Sequence, residues 1–492
     1  MSPISSPSNW QPAARYPVPA LARKADPLLA RLDAAAAPPA STIVTLSPEA
    51  IAAASAAVPT SLRYQDLGAD MLKQLGAGSV IALDHARLPD RVDNKFTLGI
   101  TTRSGTQVEL TLADVDDEMI YQVSSSARLD DDERKALSTL AAGFQAAIDG
   151  MAGAAPQVRL SGLTQFDSRF VQSIDFHAEV SGPEPAPQTL DFHIDDALRK
   201  ARINGPDGQA EVNVDTSTLE HLGTRKQQAK AINNYLAQFD QALARGHGDK
   251  KLMSMFKDAF SDMNRTAVAE ETDDFLHIPS KWQLNSDDRS ALTGLSDFSA
   301  SLTQTPKSSN PLKAWEQDTF SYEVSQATKL EGTSRDDRKI GQDQQSRLSA
   351  QYHTDIGKSS PPWFDGTLQT QNYEYHQVED SARSNVSLEY RLGKLKKASL
   401  EQIAGQSEQV KTIILGKLKS DKSIPSQQSL VRDLLPSLTS YEHIKGADNL
   451  NDHVFLLGSP GEIVARNEQF QVSGHWRKTE GAVIRRQHLL RD

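Results

Sequence analysis

The sequence predicts an α+β protein built from two tandem copies of a helix plus an antiparallel hairpin, with αα-hairpins, after a disordered N-terminal tail. Three observations predict this class. The first residues are rich in proline, short apolar runs alternate with polar residues between turn signals, and helical stripes begin at capping residues. The order of helix, strand and helical block also recurs along the 492 residues, a length sufficient for about three domains.

The tail is predicted over residues 1–42, which hold eight of the 24 prolines among alanine and serine. Such a composition buries too little apolar surface to offset the entropy of the chain. The segment has neither the basic start nor the apolar centre of a secretory signal. We therefore expect either a cytoplasmic protein or one exported by a bacterial route that needs no such signal.

The first α+β unit is predicted over residues 43–265. Runs at 96–101 and 108–112 predict strands, and Asp130 with Glu133 three residues later predicts a capping box that begins a helix. Alternating residues at 170–180 and 190–194 predict a further hairpin. Two apolar stripes between 219 and 263 then predict an αα-hairpin, in which a glycine of the turn at 245–249 is expected to supply the left-handed residue.

A second copy is predicted over residues 266–445, because four landmarks recur in the same order. The matches join 132–144 to 288–298, 176–180 to 320–324, 219–223 to 400–405, and Leu252 with Phe256 to Leu430 with Leu434. The second copy carries longer and more hydrophilic strands, which could expose their edges to a partner chain. Residues 446–492 are predicted to form a C-terminal hairpin at 453–476 and a basic tail.

Composition excludes several classes of protein. The chain has no cysteine, so disulfides, thiolate nucleophiles and cysteine-ligated metals are impossible. Its apolar runs are far shorter than the roughly 20 residues that span a bilayer, and no membrane span is expected. The net charge of -11 disfavours nucleic acid, although residues 391–422 carry eight basic against three acidic residues and the tail is also basic.

One hairpin carries a candidate metal site. If the strands at 170–196 pair so that Ala178 faces Phe192, their polar face collects Asp175, His177, His193 and Asp195. Imidazoles and carboxylates together suit zinc or a similar divalent cation. The alternative is a solvated face, which is common in antiparallel sheets. The predicted copy favours the solvated face, because it has serine where the first unit has His177, and no other cofactor is expected.

Two stretches resemble segments of uncharacterised proteobacterial proteins. They are 129–134 with 144–148, and the run Leu-Ala-Arg-Gly-His-Gly-Asp at 243–249 with 252–253 and 256–260. The resemblance implies a bacterial origin and carries no known activity or catalytic residue.

The sequence contains no phosphate loop, dinucleotide fingerprint, nucleophile elbow or zincin helix. We therefore predict a non-catalytic binding or structural protein of bacterial origin that presents polar hairpin surfaces to a protein partner. The alternative is a secreted effector or a metal-dependent hydrolase that uses the Asp and His cluster at 170–196.

Overall fold

A single antiparallel sheet organises the chain. The computed structural model describes residues 63–76, 92–115, 118–182, 186–217, 223–265, 284–439 and 451–469. Within them, thirteen strands lie in the order β3-β2-β1-β4-β5-β6-β7-β8-β9-β10-β11-β12-β13. The strands are β1 Asn94–Thr102, β2 Gln107–Val115, β3 Glu118–Ser125, β4 Val171–Val180, β5 Gln188–Ile194, β6 Leu198–Gly205, β7 Gly208–Asp215, β8 Phe298–Gln304, β9 Thr319–Gly332, β10 Arg338–Thr354, β11 Tyr373–Arg391, β12 Lys394–Ile414 and β13 Lys417–Asp433. Twelve spacings of about 4.8 Å make the sheet roughly 58 Å wide.

Helices lie against one face of this sheet. They are α1 Leu67–Gly76, α2 Asp131–Thr139, α3 Ala141–Met151, α4 Arg225–Gly246, α5 Lys250–Asn264, α6 Ser286–Ser290, α7 Leu435–Thr439, α8 Asn451–Val454 and α9 over residues 460–469. A 3-10 turn covers Leu368–Thr370. After β3, helices α2 and α3 return the chain to the other side of β1, where β4 pairs, and each later strand adds to the same growing edge.

The main core lies between the helices and the sheet. Alternate residues of β1, namely Phe96, Leu98 and Ile100, are buried on the helix side. The ring of Phe144 from α3 meets the ring of Phe176 from β4 edge to face, with centroids 6.1 Å apart. The other residues of these strands point to the opposite face, so the first half of the sheet has one apolar and one polar side.

Local signals for helix ends are largely confirmed. The Asp130 side chain accepts a 2.7 Å hydrogen bond from the amide of Glu133, and the Glu133 carboxylate accepts one of 3.0 Å from the amide of Asp130. This is the predicted capping box. The αα-hairpin is also confirmed as α4 and α5, but its left-handed residue is His247, with φ of 53°, and not one of the two flanking glycines.

The two tandem units are not formed, and that prediction is wrong. The sheet crosses the predicted boundary at 265/266, because β7 pairs with β8 along its whole length. Residues 400–405, expected to enter a helical block, lie inside β12, and Leu430 lies in β13. An open strand edge favours further pairing, so the later strands extended the existing sheet and did not start a second one.

Two other predictions concern the ends of the chain. The hairpin predicted at 453–476 is wrong where it is described, because α8 and α9 occupy 451–454 and 460–469. The predicted N-terminal tail at 1–42 lies outside the described residues, as does the basic C-terminal tail.

Buried glutamines hold the C-terminal segment on the sheet. Gln344 of β10 donates a 2.7 Å hydrogen bond to the carbonyl of Val454, and Gln402 of β12 donates one of 2.7 Å to the carbonyl of Phe455. Both glutamines are buried on the helix-facing side. Their amides satisfy main-chain carbonyls that have no strand partner, which allows an irregular segment to be buried there.

Candidate functional site: the polar face of the first six strands

A concavity lies on the polar face of β1 to β6. Its volume is about 780 Å³. Threonine, serine, glutamine and charged side chains line it: Thr97, Thr101, Gln107, Glu109, Ser124, Asp175, His177, Asp191, His193, Lys200 and Arg202. The face forms because these residues alternate with core residues along each strand.

The register of the β4–β5 hairpin differs from the predicted one by two residues. Phe176 faces Phe192, and Ala178 faces Leu190 instead of Phe192. A shift of two leaves every side chain on its predicted face, so the polar face is composed as expected. The shift nevertheless changes the neighbours, because each histidine now lies opposite an aspartate and not opposite the other histidine.

His177 is placed between two carboxylates. Its Nδ1 lies 2.6 Å from Oδ1 of Asp191 on the neighbouring strand. Its Nε2 lies 4.0 Å from Oε2 of Glu179, two residues further along the same strand. The imidazole is about one-third exposed, so the pair is only partly shielded from water.

His193 has the same arrangement. Its Nδ1 lies 2.7 Å from Oδ1 of Asp175, and its Nε2 lies 3.4 Å from Oδ2 of Asp195. Burial acts to lower the pKa of His193, but the hydrogen bonds and charges of Asp175 and Asp195 outweigh it, and the pKa is raised. For Asp195 the effects have the opposite signs, because burial of a carboxyl group acts to raise its pKa. Amide donors at Ala197 and Leu198, each 2.8 Å away, together with His193, lower it instead.

Charged and titratable side chains also form a row that crosses the strands from β4 to β7. His177, Asp191, Arg202 and Glu211 lie directly opposite one another on β4 to β7. Glu211 also accepts from Asn213 at 2.9 Å, and this hydrogen bond, with a smaller contribution from Lys200, keeps the pKa of the Glu211 carboxyl low against the opposing effect of burial. From Asp191 through Arg202 to Glu211 the row therefore alternates in sign across three strands, β5 to β7.

Three of the four predicted metal ligands, Asp175, His177 and His193, lie on the polar face of two neighbouring strands, and Asp195 directly follows β5. The Nδ1-to-carboxylate contact of His193 is the kind that orients a metal-binding histidine and leaves Nε2 for the metal. Among the residues that the structure describes, however, no three His, Asp or Glu side chains are grouped so that they could hold a metal ion. A divalent cation at Asp175, His177, His193 and Asp195 stays a prediction.

The same geometry bears on general-base chemistry. A histidine base needs an orienting group on one nitrogen and a hydroxyl or water nucleophile at the other. A second carboxylate lies 3.4 Å from Nε2 of His193 and 4.0 Å from Nε2 of His177. The side chain of an aspartate or glutamate is not the hydroxyl of a nucleophile–base pair, so these contacts by themselves do not form such a pair.

The basic stretch at 391–422 is divided by the fold. Arg391 and Lys394 lie at the turn between β11 and β12, whereas Lys417 and Lys419 lie at the turn between β12 and β13. These turns are at opposite ends of β12, whose 21 residues extend roughly 65–70 Å. The single basic patch suggested by the sequence is therefore not formed.

A cluster of aromatic and charged side chains around Tyr352 was not predicted from the sequence. The ring of Tyr352 is stacked between the imidazoles of His247 and His376, with centroid distances of 4.0 and 4.7 Å. The Nδ1 atom of His376 lies 2.8 Å from Oε1 of Glu408, and Oε2 of that carboxylate is 2.6 Å from Nη1 of Arg245. Burial, followed by the charge of Glu408, raises the pKa of Tyr352 to about 12. Its members come from four distant elements, so no local motif could reveal it.

Two further observations concern the chain as a whole. None of the helices that the structure describes is long and apolar enough to cross a membrane. No protein-family model, curated protein or solved structure matches this chain at a significant level.

Proposed function

We propose that this chain is a non-catalytic binding protein that presents the polar face of β1 to β6 to a protein partner. The observation that carries the proposal is the cross-strand row of His177, Asp191, Arg202 and Glu211, in which the last three residues alternate in charge. His177, Asp191 and Arg202 line the concavity on this face, and Glu211 lies beside Arg202 on β7. The sheet beneath them is fixed by the main core on its other side. A rigid array of this kind loses little entropy when it binds.

The charge pattern indicates the chemistry of the partner. Neighbouring charges in the row have opposite sign, so a complementary surface carries acidic and basic side chains at the spacing of adjacent strands, about 4.8 Å. Such complementarity contributes mainly to specificity and to the association rate. The expected partner is therefore a polar protein surface and not an apolar peptide.

A metal-dependent hydrolase at the same cluster is less well supported. A catalytic divalent cation needs about three protein ligands that converge and leave one position open. Here Asp175 and Asp191 are each engaged by an imidazole Nδ1 across the strand pair. We therefore prefer binding to catalysis as the role of this face.

The test is quantitative affinity capture with the full chain, after immunoblots of cytosol, membrane and medium have shown in which compartment the protein occurs. We expect Lys200→Glu with Arg202→Glu to lose a partner that the unchanged chain retains. Arg347→Glu is the matched control, because Arg347 is an exposed cation of the same sheet, four strands away on β10, paired with Glu379 at 3.5 Å.

Capture that survives the double reversal, or that falls equally in the control, would overturn the proposal. Hydrolysis of a supplied ester or peptide substrate that needs an added divalent cation and is lost in His193→Ala would favour the enzyme instead. Capture should also weaken as salt is raised, because the contacts are between exposed charges.

A further inference from the structure

Exposed apolar side chains are concentrated at one end of the long strands. Eight of the fourteen exposed large apolar residues of the described chain lie in the β8–β9 loop, the β10–β11 loop and the β12–β13 turn. We call them the tip patch: Leu312, Trp315, Ile356, Trp363, Leu368, Ile414, Leu415 and Leu418. Trp315 and Trp363 are 76% and 74% exposed. Apolar patches of this kind mark interaction sites.

The three connections that carry the patch are joined to one another. The amide of Gly416 donates 3.0 Å to the carbonyl of Gln371, and the amide of Leu415 donates 2.9 Å to Oδ1 of Asn372. Gln371 in turn exchanges two side-chain hydrogen bonds with Asn310, of 2.8 and 3.0 Å. The turn and both loops are therefore held as one surface.

A small buried cluster supports this surface from below. The imidazole of His353 lies among the rings of Phe364, Tyr373 and Tyr375, with centroids 4.7 to 5.6 Å away. The hydroxyl of Tyr373 donates 2.5 Å to Oε2 of Glu316. Trp315 directly precedes Glu316, and Trp363 directly precedes Phe364. Both tryptophans are therefore anchored through a neighbouring residue, although their own indole rings are exposed.

Positive charge borders the patch. Residues 411–422 contain four lysines and one aspartate, a local charge of +3. Lys417 and Lys419, on either side of Leu418, are exposed. Lys358 at this end is paired with Asp355 at 3.7 Å, and the carboxylate of Asp365 accepts hydrogen bonds of 2.8 Å from the Thr367 amide and the Thr370 hydroxyl.

We propose that the tip patch binds the interface of an anionic lipid bilayer without spanning it. Tryptophan favours the membrane–water interface, and lysines near an anionic surface add electrostatic attraction. Exposed tryptophans with lysines beside them are the combination by which proteins bind the interface of an anionic membrane. The patch lies in loops and a turn at one end of the long strands. A bilayer surface can contact these connections without contacting the faces of the sheet. This inference goes beyond the proposed binding of a protein on β1 to β6.

The experiment is co-sedimentation of the full chain with vesicles of phosphatidylcholine, with or without about 30% phosphatidylserine. We expect sedimentation with the anionic vesicles, release at about 0.5 M salt, and loss of binding in Trp315→Ser with Trp363→Ser. Lys417→Gln and Lys419→Gln should each weaken binding by about fivefold.

The chain supplies a matched control. Leu392 and Leu415 both precede glycine in two-residue turns, both have φ of 50°, and they lie at opposite ends of β12. Asparagine accepts this conformation, so neither Leu→Asn change threatens the fold. We expect Leu415→Asn to weaken vesicle binding severalfold and Leu392→Asn to leave it unchanged.

A second readout locates the contact. Brominated phosphatidylcholine in the vesicles should quench tryptophan emission of the bound chain, and the quenching should vanish in Trp315→Phe with Trp363→Phe while sedimentation persists. Failure of the unchanged chain to sediment with anionic vesicles overturns the proposal, as do equal effects of Leu392→Asn and Leu415→Asn. If the chain ignores vesicles and the serine variants instead break a dimer, the patch serves a protein contact.

Discussion

The Nδ1 atom of His193 lies 2.7 Å from Oδ1 of Asp175, its direct cross-strand neighbour. The contact exists because the β4–β5 hairpin pairs two residues away from the register predicted from the sequence, in which Ala178 faces Phe192. Against the effect of burial, it raises the pKa of His193, so the strength of this acid–imidazole pair depends on pH.

We predict that His193→Gln destabilises the chain in mild acid and much less in mild base. Because the pKa of His193 is raised by folding, the stabilisation is complete below the unfolded pKa of about 6.5 and is lost as pH rises through the folded pKa. A part-exposed pair contributes no more than about 1 kcal/mol. Urea unfolding at about pH 5.5 and about pH 8.5 measures the difference.

Asp175→Asn should reproduce that loss, and the double variant should add little to either single change. An equal loss at both pH values would show that the imidazole is neutral in the pair.

The buried pair of Asp288 and Arg338 should be essential to stability. Their side chains are 0% and 2% exposed, Nη2 lies 2.7 Å from Oδ2, and the guanidinium stacks 3.5 Å from the ring centre of Tyr390. Asp288→Asn keeps the shape but removes the compensating charge, so we expect a loss of about 3–5 kcal/mol. Glu379→Gln, in the exposed pair with Arg347, should cost less than about 1 kcal/mol.

The unfolding free energies of the two variants decide this prediction. Comparable losses in the buried and exposed pairs would contradict it.

The glutamine contacts to the C-terminal segment predict a local effect. Gln402→Leu leaves the buried carbonyl of Phe455 without its donor, which costs about 1–3 kcal/mol. Limited proteolysis should then cut the chain faster near residues 451–469. Gln345→Leu is the control, because Gln345 lies on the exposed face of β10 and should change neither rate nor stability. Unchanged cleavage in Gln402→Leu would mean that the apolar side chains alone hold the segment.

The backbone of α3 at Gly143 lies so close to Gly162 that we expect an added methyl group to destabilise the chain. A Cβ on Gly143 of α3 would lie 2.5 Å from the carbonyl carbon of Gly162, so Gly143→Ala must push the two segments apart and should cost about 1–3 kcal/mol. Gly182→Ala adds its methyl where no atom lies within 4 Å, and we expect a change within about 0.5 kcal/mol. Thermal unfolding compares the two, and a tolerated Gly143→Ala would contradict the rigidity of this contact.

Local structure was predictable where a few neighbouring residues decide it. The capping box of Asp130 and Glu133, the αα-hairpin and the strands at 96–101 and 108–112 follow from caps and periodicity. The left-handed residue at 247 was assigned to a glycine because glycine adopts that conformation most easily, yet histidine occupies it. The left-handed backbone conformation is unfavourable for histidine, but the imidazole of His247 stacks on the ring of Tyr352 in this conformation.

The hydrophilic strands of the second half show where pattern alone fails. Gln344 and Gln402 were indistinguishable from exposed residues in sequence, but both are buried and bind main-chain carbonyls. A buried amide is acceptable only when it has a partner, and the partner here lies more than fifty residues away. The two-unit interpretation failed for the same reason, since pairing of β7 with β8 depends on chain brought together by folding.

The sequence by itself determined the absence of cysteine chemistry, helices α2 to α5, strands β1, β2, β4 and β5, and the face on which His177 and His193 lie. It did not predict β3, β6 or β7. Only the tertiary structure decided the single sheet, the partners of each histidine and the collection of Trp315 and Trp363 at one tip. The physical reason is range. Caps and alternation act over a few residues, whereas a register shift of two leaves the alternation unchanged and is chosen only by contacts between distant parts of the chain.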